Sequence, residues 1–215
     1  MTNLYIGIDV QANRHCPYAV LSEAGEMVES GWLSPNDLMS DLGAVADKYP
    51  VAAFAVDAPR MPLPAPRQWY WRGGEWVKRG ATDKGRGRHC EVVVAAHRLA
   101  NPQWTPLVAD APQWMRHGFA IFDALACRAH CYEVFPSAAY HMLRDVPEVC
   151  ATLNFAQFQP GPKDMLDAVV GAVTVREYLA GRGQAVGDGD GLGHIVLPRP
   201  VAEPIAGVMQ WPESS

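Results

Sequence analysis

An uninterrupted apolar segment at residues 51–56 (VAAFAV) constrains the fold of this chain more than any other feature. A strand that is apolar on both faces is typical of a parallel sheet covered by helices on both sides, since half-exposed strands alternate apolar and polar residues. Asp57 follows the segment directly. We therefore expect an α/β fold in which a carboxylate stands at the end of a buried strand.

The segments around this strand predict an α/β fold with a mixed, five-stranded sheet flanked by helices. Strands are predicted at residues 4–10, 18–21, 27–32, 51–56 and 130–135, with 195–197 as an additional candidate, and helices at 38–49, 88–100, 112–126, 136–143 and 162–179. A turn at residues 22–25 makes the first three strands an antiparallel meander. The helix that follows is expected to cross back over the sheet, so the later strands are expected to be parallel to the first.

The composition is that of a single globular domain of enzyme size, predicted over residues 1–215. With 49% hydrophobic and 19% charged residues, the chain can bury a sizeable core. Its 18 basic and 23 acidic residues give a formal charge of −5, which argues against general attraction to nucleic acid but allows a local basic patch. Five cysteines, no leader and no apolar run of about 18 residues predict a cytoplasmic protein without a membrane partner.

Acidic residues stand at the ends of three predicted strands and at the start of the last long helix. Asp9, Asp57 and Glu133 lie at strand ends, and Asp164 and Asp167 open the helix. If the first strand lies beside the fourth and the fourth beside the fifth, these carboxylates converge across spacings of about 4.8 Å and repel one another unless a cation lies among them. Oxygen ligands with hydrated positions suit Mg²⁺ or Mn²⁺ better than Zn²⁺. The five acids are therefore the candidate catalytic residues of a metal-dependent phosphodiester hydrolase, and all but Glu133 are candidate metal ligands.

Each acid also has a purely structural interpretation. Carboxylates at strand ends are common turn formers, Asp164 would serve as a helix N-cap, and the helix dipole would favour Asp167 in the first turn. On a helical wheel these two aspartates share a face with Gly171, and that face is either solvated or reaches over the edge of the sheet. Both interpretations stay open at the level of sequence.

Five short motifs follow one another along the chain. They are Gly7-Ile8-Asp9, Val56-Asp57-Ala58-Pro59, Arg88-x-Cys90-Glu91, Glu133-Val134-Phe135-Pro136-Ser137 and Asp164-x-x-Asp167-Ala168 followed by Ala172-x-Thr174. In this order they resemble the domain-of-unknown-function 429 (DUF429) family, described as predicted RNase H-like nucleases, and the terminal Ile195-Val196-Leu197-Pro198 also fits. The resemblance covers about residues 4–198 and implies an RNase H-like fold. It also implies the acidic pattern of RuvC-type resolvases, in which the matching positions are Asp9, Asp57, Asp164 and Asp167.

The chain departs from the DUF429 pattern at Lys163. The family often begins its last motif with two adjacent acids, whereas a lysine precedes Asp164 here. A lysine in this place would pair with a substrate phosphate or partly neutralise the acids, so Lys163 is a candidate substrate-binding residue. Which of Asp164 and Asp167 binds metal stays open.

Residues 59–88 are predicted to form a proline-rich insertion that carries basic and aromatic side chains. Its cations are Arg67, Arg72, Lys78, Arg79, Lys84, Arg86 and Arg88, and its large aromatic residues are Trp69, Tyr70, Trp71 and Trp76. Such a mixture is typical of single-strand binding, because cations meet phosphates and rings stack on bases. The candidate substrate-binding residues are Arg72, Lys78, Arg79, Arg88 and Trp71. The alternative is a loop whose tryptophans anchor it to the domain or to a second subunit.

These residues favour divalent-metal-dependent hydrolysis of a phosphodiester, with nucleic acid, either DNA or RNA, as the partner. A non-catalytic RNase H-like binding module that keeps the acids as an inert cluster is the first alternative. An actin-like ATPase or kinase relative, which shares the opening meander but usually needs two domains, is the second. A homo-oligomer is compatible with the sequence.

Overall fold

The computed structural model describes residues 3–49, 52–127, 130–143 and 162–212, and its elements are numbered in chain order. The strands are β1 (Leu4–Asp9), β2 (Cys16–Ser22), β3 (Met27–Leu33), β4 (Ala53–Asp57), β5 (Trp69–Arg72), β6 (Glu75–Lys78), β7 (His130–Glu133), β8 (Gln184–Val186) and β9 (Ile195–Leu197). The helices are α1 (Leu38–Lys48), α2 (His89–Ala96), α3 (Gln113–Leu125), α4 (Pro136–Leu143), α5 (Pro162–Leu179) and α6 (Ala206–Met209).

The main sheet has seven strands in the order β3-β2-β1-β4-β7-β9-β8. Strands β1 to β3 are antiparallel, β1, β4, β7 and β9 are parallel, and β8 returns antiparallel to β9. The predicted mixed α/β sheet is therefore confirmed, with the first strand beside the fourth and the fourth beside the fifth strand of the sequence prediction. The predicted count of five strands is wrong, because the β8–β9 pair extends the sheet at one edge. Strand β8 has only three residues, too few to show a periodic pattern.

Strand β4 lies in the middle of the sheet and is buried on both faces. Phe54 and Val56 pack with α1 and α3, whereas Ala53 and Ala55 face the cluster that contains α5. The alanines leave room for the helix to approach the sheet. A Cβ atom added to Gly7 of β1 would lie 1.7 Å from the carbonyl oxygen of Ala168, so helix α5 touches the backbone of β1 directly.

This close approach decides between the two interpretations of the acidic face of α5. A Cβ atom added to Gly171 would lie 3.3 Å from Val134 Cγ2 and 3.6 Å from Ala55 Cβ, so the Gly171 face points at the sheet. Asp167 lies one turn earlier on that face and is only 8% exposed. The face therefore reaches over the edge of the sheet and is not a solvated face.

The insertion at residues 59–88 contains a β-hairpin that the sequence analysis left as a loop. Strands β5 and β6 form a separate two-stranded sheet, joined by Gly73 and Gly74 with φ of +63° and +90°. Such backbone angles are those of a type I′ turn, which glycine adopts without steric cost. Trp76 of the hairpin donates hydrogen bonds from Nε1 to the carbonyl oxygens of Gly207 (2.8 Å) and Gln210 (2.9 Å). For Trp76, the predicted alternative of an anchoring tryptophan is confirmed.

Candidate active site

Three acids stand at the carboxyl ends of three adjacent parallel strands. Asp9 of β1 is the in-register partner of Asp57 of β4, and Glu133 of β7 is the partner of Val56, one residue before Asp57. The three side chains line one cleft of about 310 Å³, together with Trp114 and other residues of the surrounding loops. The convergence of strand-end acids that the sequence predicts is therefore present in the structure.

Asp167 faces this group from helix α5. Its Oδ1 accepts a hydrogen bond of 2.7 Å from the Tyr140 hydroxyl of α4, and its Oδ2 lies 2.5 Å from Lys163 Nζ. Lys163 itself is largely exposed, and only its amine reaches the acid. The fourth acid is thus held in a fixed position and partly neutralised by a lysine of its own helix, which is one of the two roles predicted for Lys163.

The electrostatics of the cleft disfavour charge on two of these acids. Burial raises the pKa of Asp9 from 3.8 to about 7, and repulsion from Asp167 and Asp164 adds to the rise. A hydrogen bond of 2.6 Å from Gln11 Nε2 to Asp9 Oδ2 opposes it. Burial, followed by Asp9 and Asp167, raises the pKa of Asp57 well above its usual range. Near neutral pH this cluster therefore retains protons unless a cation compensates its charge.

The raised pKa of Asp9 predicts a decrease in stability with rising pH. Between about pH 4 and 7 the folded protein binds more protons at this residue than the unfolded chain, whose carboxyl has its ordinary pKa of 3.8. The contribution of Asp9 to stability is therefore greatest at low pH and is lost as the pH rises through about 7. We expect the free energy of unfolding by urea, without divalent cations, to be lower at pH 8 than at pH 6. Equal or greater stability at pH 8 would contradict this electrostatic description of the cleft.

Asp164 is less involved in the cluster than Asp167. It forms an ion pair of 2.9 Å with Arg14, whose Nη2 also donates a hydrogen bond of 2.7 Å to Gln11 Oε1. The loop after β1 thus connects Asp164 to Asp9 through Arg14 and Gln11. Of the two α5 acids, Asp167 has the larger effect on the pKa of Asp9, so it is electrostatically the closer member of the cluster.

Glu133 lines the cleft, but a buried arginine neutralises it. Arg88 is 0% exposed and donates hydrogen bonds to both carboxylate oxygens of Glu133, one of them at 2.8 Å. The backbone N–H of Arg60 donates a further hydrogen bond of 2.8 Å to Glu133 Oε2. Arg88 also pairs with Glu91, which accepts hydrogen bonds from Thr105. The structure therefore places Arg88, predicted to bind substrate, inside the fold, and it places the predicted catalytic Glu133 in an ion pair with this buried arginine.

The structure does not bring the predicted substrate-binding residues of the hairpin into the acidic cleft. Arg72 pairs with Asp83 and lies 5.0 Å from the centroid of the Tyr70 ring. Lys78 lies over the ring of Trp69, its cross-strand partner in the hairpin, with 5.6 Å between Nζ and the ring centroid. A separate groove of about 390 Å³ is lined by Lys78, Arg79, Trp69 and Trp211, among others. Trp71 packs edge-on against Trp76, with 5.4 Å between ring centroids.

Sequence reasoning missed three polar residues that the structure places at the cleft. Gln11 lies two residues after Asp9, the last residue of β1, and this short separation could have identified it from the sequence. Tyr140 binds Asp167 across 27 residues of sequence, and Gln103 lines the cleft from a connecting loop. No periodic pattern marks the last two, since their positions depend on how α4 and the loop pack.

The donor chemistry of the cleft fits a hard divalent cation. Mg²⁺ is usually bound by one or two carboxylates, with waters and substrate oxygens as its other ligands. Asp9 and Asp57 would supply those two carboxylates, and burial together with repulsion from neighbouring acids raises the pKa of both. Within the described ranges, no group of three or more His, Cys, Asp or Glu side chains is arranged to hold a metal ion. One carboxylate oxygen of Asp167 already accepts a hydrogen bond from Lys163.

Comparison of the chain with protein-family models, with curated proteins and with solved structures finds no match. The resemblance to the DUF429 family and the RNase H-like assignment therefore stay predictions. In the described parts of the chain, no helix is long and apolar enough to cross a membrane.

Proposed function

We propose that this chain is an RNase H-like nuclease that hydrolyses phosphodiester bonds with Mg²⁺ or Mn²⁺. The observation that carries the proposal is the pairing of Asp9 and Asp57 at the ends of adjacent parallel strands, with Asp167 facing them from α5. Three antiparallel strands beside parallel ones, with the last long helix against β1, agree with the fold that the DUF429 resemblance implies. Nucleic acid is the proposed partner, and assembly into a homo-oligomer stays a prediction.

In this proposal each residue of the cleft has a separate task. Asp9 and Asp57 would hold the cation, which when bound supplies a Lewis acid and lowers the pKa of water. Tyr140 and Lys163 fix the carboxylate of Asp167, and Gln11 fixes that of Asp9. Lys163 is largely exposed, so its amine can exchange Asp167 for a substrate phosphate. The Arg88–Glu133 pair joins the N-cap of α2 to the end of β7 and stays out of the reaction.

The test is a cleavage assay on end-labelled single-stranded DNA and RNA, with millimolar Mn²⁺ and with EDTA. We expect cleavage by the wild type only with the cation. Asp57→Asn should lower the cleavage rate by more than about 100-fold. Loss of a residue that only hydrogen-bonds to a metal ligand already costs up to about 100-fold, and Asp57 is proposed to be a ligand itself. The matched control is Asp123→Asn, which makes the same chemical change at an exposed position of α3. Cation-independent cleavage, or equal rates for wild type and Asp57→Asn, would contradict the proposal.

One observation favours a second candidate, the non-catalytic binding module. Both oxygens of Asp167 already have protein partners in Tyr140 and Lys163, so part of the cluster is balanced without a cation. A wild type that binds single strands but cleaves none of them with Mg²⁺ or Mn²⁺ would favour this module over the nuclease.

The groove beside the hairpin predicts a salt-dependent contribution to binding of a single strand. Lys78 and Arg79 are exposed and line this groove, whereas Arg72 is engaged with Asp83. We expect Lys78→Ala/Arg79→Ala to weaken oligonucleotide binding and to reduce the slope of log Kd against log salt by about 1.4, roughly 0.7 for each lost phosphate contact on a single strand. Fluorescence anisotropy over a salt series measures both effects. The control is Lys48→Ala, an exposed lysine of α1, and an unchanged slope in the double variant would exclude phosphate contacts in this groove.

A further inference from the structure

A second pocket, larger than the acidic cleft, lies between the hairpin and helix α2. Its volume is about 840 Å³, within the range of small-molecule binding sites. Tyr70, Trp71 and Trp104 contribute aromatic surface to its walls. Trp104 is 39% exposed although it is a large apolar residue. The pocket therefore presents ring surface on which a planar group can stack.

A buried arginine supplies a fixed positive charge in the wall of this pocket. Arg67 is 7% exposed, and its guanidinium lies 4.4 Å from the centroid of the Tyr70 ring and 6.0 Å from that of Trp104. Its Nε donates to the carbonyl of Trp69 and its Nη1 to the carbonyl of Arg86, at 3.3 Å for the latter. Among the described residues, no hydrogen bond is made by its Nη2. The guanidinium is therefore held by two backbone carbonyls and two aromatic rings, with its positive charge in the wall of the pocket.

Two further cations line the same pocket and are exposed. Lys84 and Arg86 belong to its wall, and Arg86 forms an ion pair with Asp110, with 3.9 Å between Nη2 and Oδ2. Asp83, the other acid of the wall, is already paired with Arg72. Among the described residues, Arg67 and Lys84 form no ion pair, so the pocket keeps positive charge that the acids of its wall do not neutralise.

This combination specifies the chemical class of the ligand. An apolar molecule would gain nothing from three cations, and a free phosphate would gain nothing from the aromatic rings. A nucleotide satisfies both, because its base stacks on tryptophan or tyrosine and its phosphate accepts hydrogen bonds from arginine and lysine. A base within a duplex has no accessible face, so the nucleotide must be unpaired.

The pocket and the acidic cleft are adjacent, because Gln103 lines both of them. We propose that this pocket binds an unpaired nucleotide, and that in a single strand the neighbouring nucleotide passes Gln103 toward Asp9 and Asp57. The second part, which makes the strand the substrate, rests on the proposed nuclease function. Binding of the nucleotide itself does not depend on it.

The experiment is calorimetric titration of the full chain, in EDTA, with AMP, with CMP and with a single-stranded oligonucleotide. We expect binding that Trp104→Ala weakens by about 5- to 150-fold, the value of one base stack. Trp104→Phe should restore most of the affinity because it keeps a ring. Lys84→Ala should weaken binding, whereas Lys48→Ala, at an exposed lysine of α1 outside this pocket, should leave AMP binding unchanged. Should Trp104→Ala fail to fold, Lys84→Ala and Arg86→Ala carry the test, since both side chains are exposed.

The titrations with AMP and CMP, compared with the titration with the oligonucleotide, distinguish a free nucleotide from a nucleotide within a strand. Trp104-dependent binding of AMP or CMP supports a free nucleotide, and Trp104-dependent binding of the oligonucleotide alone supports a strand. Wild-type affinity of Trp104→Ala, Lys84→Ala and Arg86→Ala for every ligand, or no binding by the wild type, overturns the inference. Failure of the nuclease proposal is a separate result: nucleotide binding would persist, in wild type and in Asp57→Asn, without any metal-dependent cleavage.

Discussion

Asp9→Asn is expected to stabilise the metal-free protein at pH 8 and to abolish its stabilisation by Mn²⁺. Asparagine has nearly the same shape but carries no charge in the desolvated cleft, where Asp9 is 6% exposed. The rise of the Asp9 pKa from 3.8 to about 7 corresponds to about 4 kcal/mol of unfavourable free energy in the charged state, which sets the scale of the gain. In the wild type, a cation that binds only the folded protein should raise the melting temperature.

The measurement is urea and thermal unfolding at pH 8, with EDTA and with millimolar Mn²⁺. Asp123→Asn is the control for loss of one carboxylate, and it should resemble the wild type in both conditions. A wild type that Mn²⁺ does not stabilise, or an Asp9→Asn protein that Mn²⁺ stabilises as much as the wild type, would argue against a cation at Asp9.

Arg88→Met is expected to destabilise the protein by about 3–5 kcal/mol, the cost of leaving a buried carboxylate without its partner. The guanidinium of Arg88 is fully buried and pairs with both Glu91 and Glu133. Removal of the arginine leaves both acids in the interior. Adding Glu133→Gln to this variant removes one of the two uncompensated charges, so the double variant should be more stable than Arg88→Met alone.

Urea unfolding of wild type, both single variants and the double variant gives the coupling energy between Arg88 and Glu133. A contribution of Arg88 to substrate binding alone predicts a different pattern, namely unchanged stability with weakened nucleotide affinity. If the effects of the two substitutions on the free energy of unfolding are additive, Arg88 and Glu133 are not coupled, and this result would contradict a stabilising ion pair between them.

The elements that the sequence predicted well are those with local patterns. The apolar run at 51–56 identifies β4 as a central parallel strand, and the helix predicted at 162–179 coincides with α5 (Pro162–Leu179). Asp9 and Asp57 could be identified because a charged side chain at the end of a buried, apolar strand is costly unless it has a partner. Their convergence followed from the order of the strands, which the structure has as predicted.

The remaining features depend on contacts that no local pattern encodes. Arg88 and Glu133 are 45 positions apart, and they form an ion pair only because the fold brings the N-cap of α2 to the end of β7. The hairpin β5–β6 could have been predicted from Gly73-Gly74 between two aromatic segments, since this dipeptide favours a type I′ turn. The pocket at Trp104 combines a hairpin, a helix and a loop, so it becomes visible only in three dimensions.

A crystal structure of the protein soaked in millimolar Mn²⁺, with anomalous scattering to locate the ion, tests the central claim most directly. We predict an anomalous peak bonded to a carboxylate oxygen of Asp9 and to one of Asp57, and no such peak in Asp57→Asn. A cleft without Mn²⁺, in which the acids remain protonated and Lys163 still holds Asp167, would contradict the assignment of this site to metal-dependent hydrolysis.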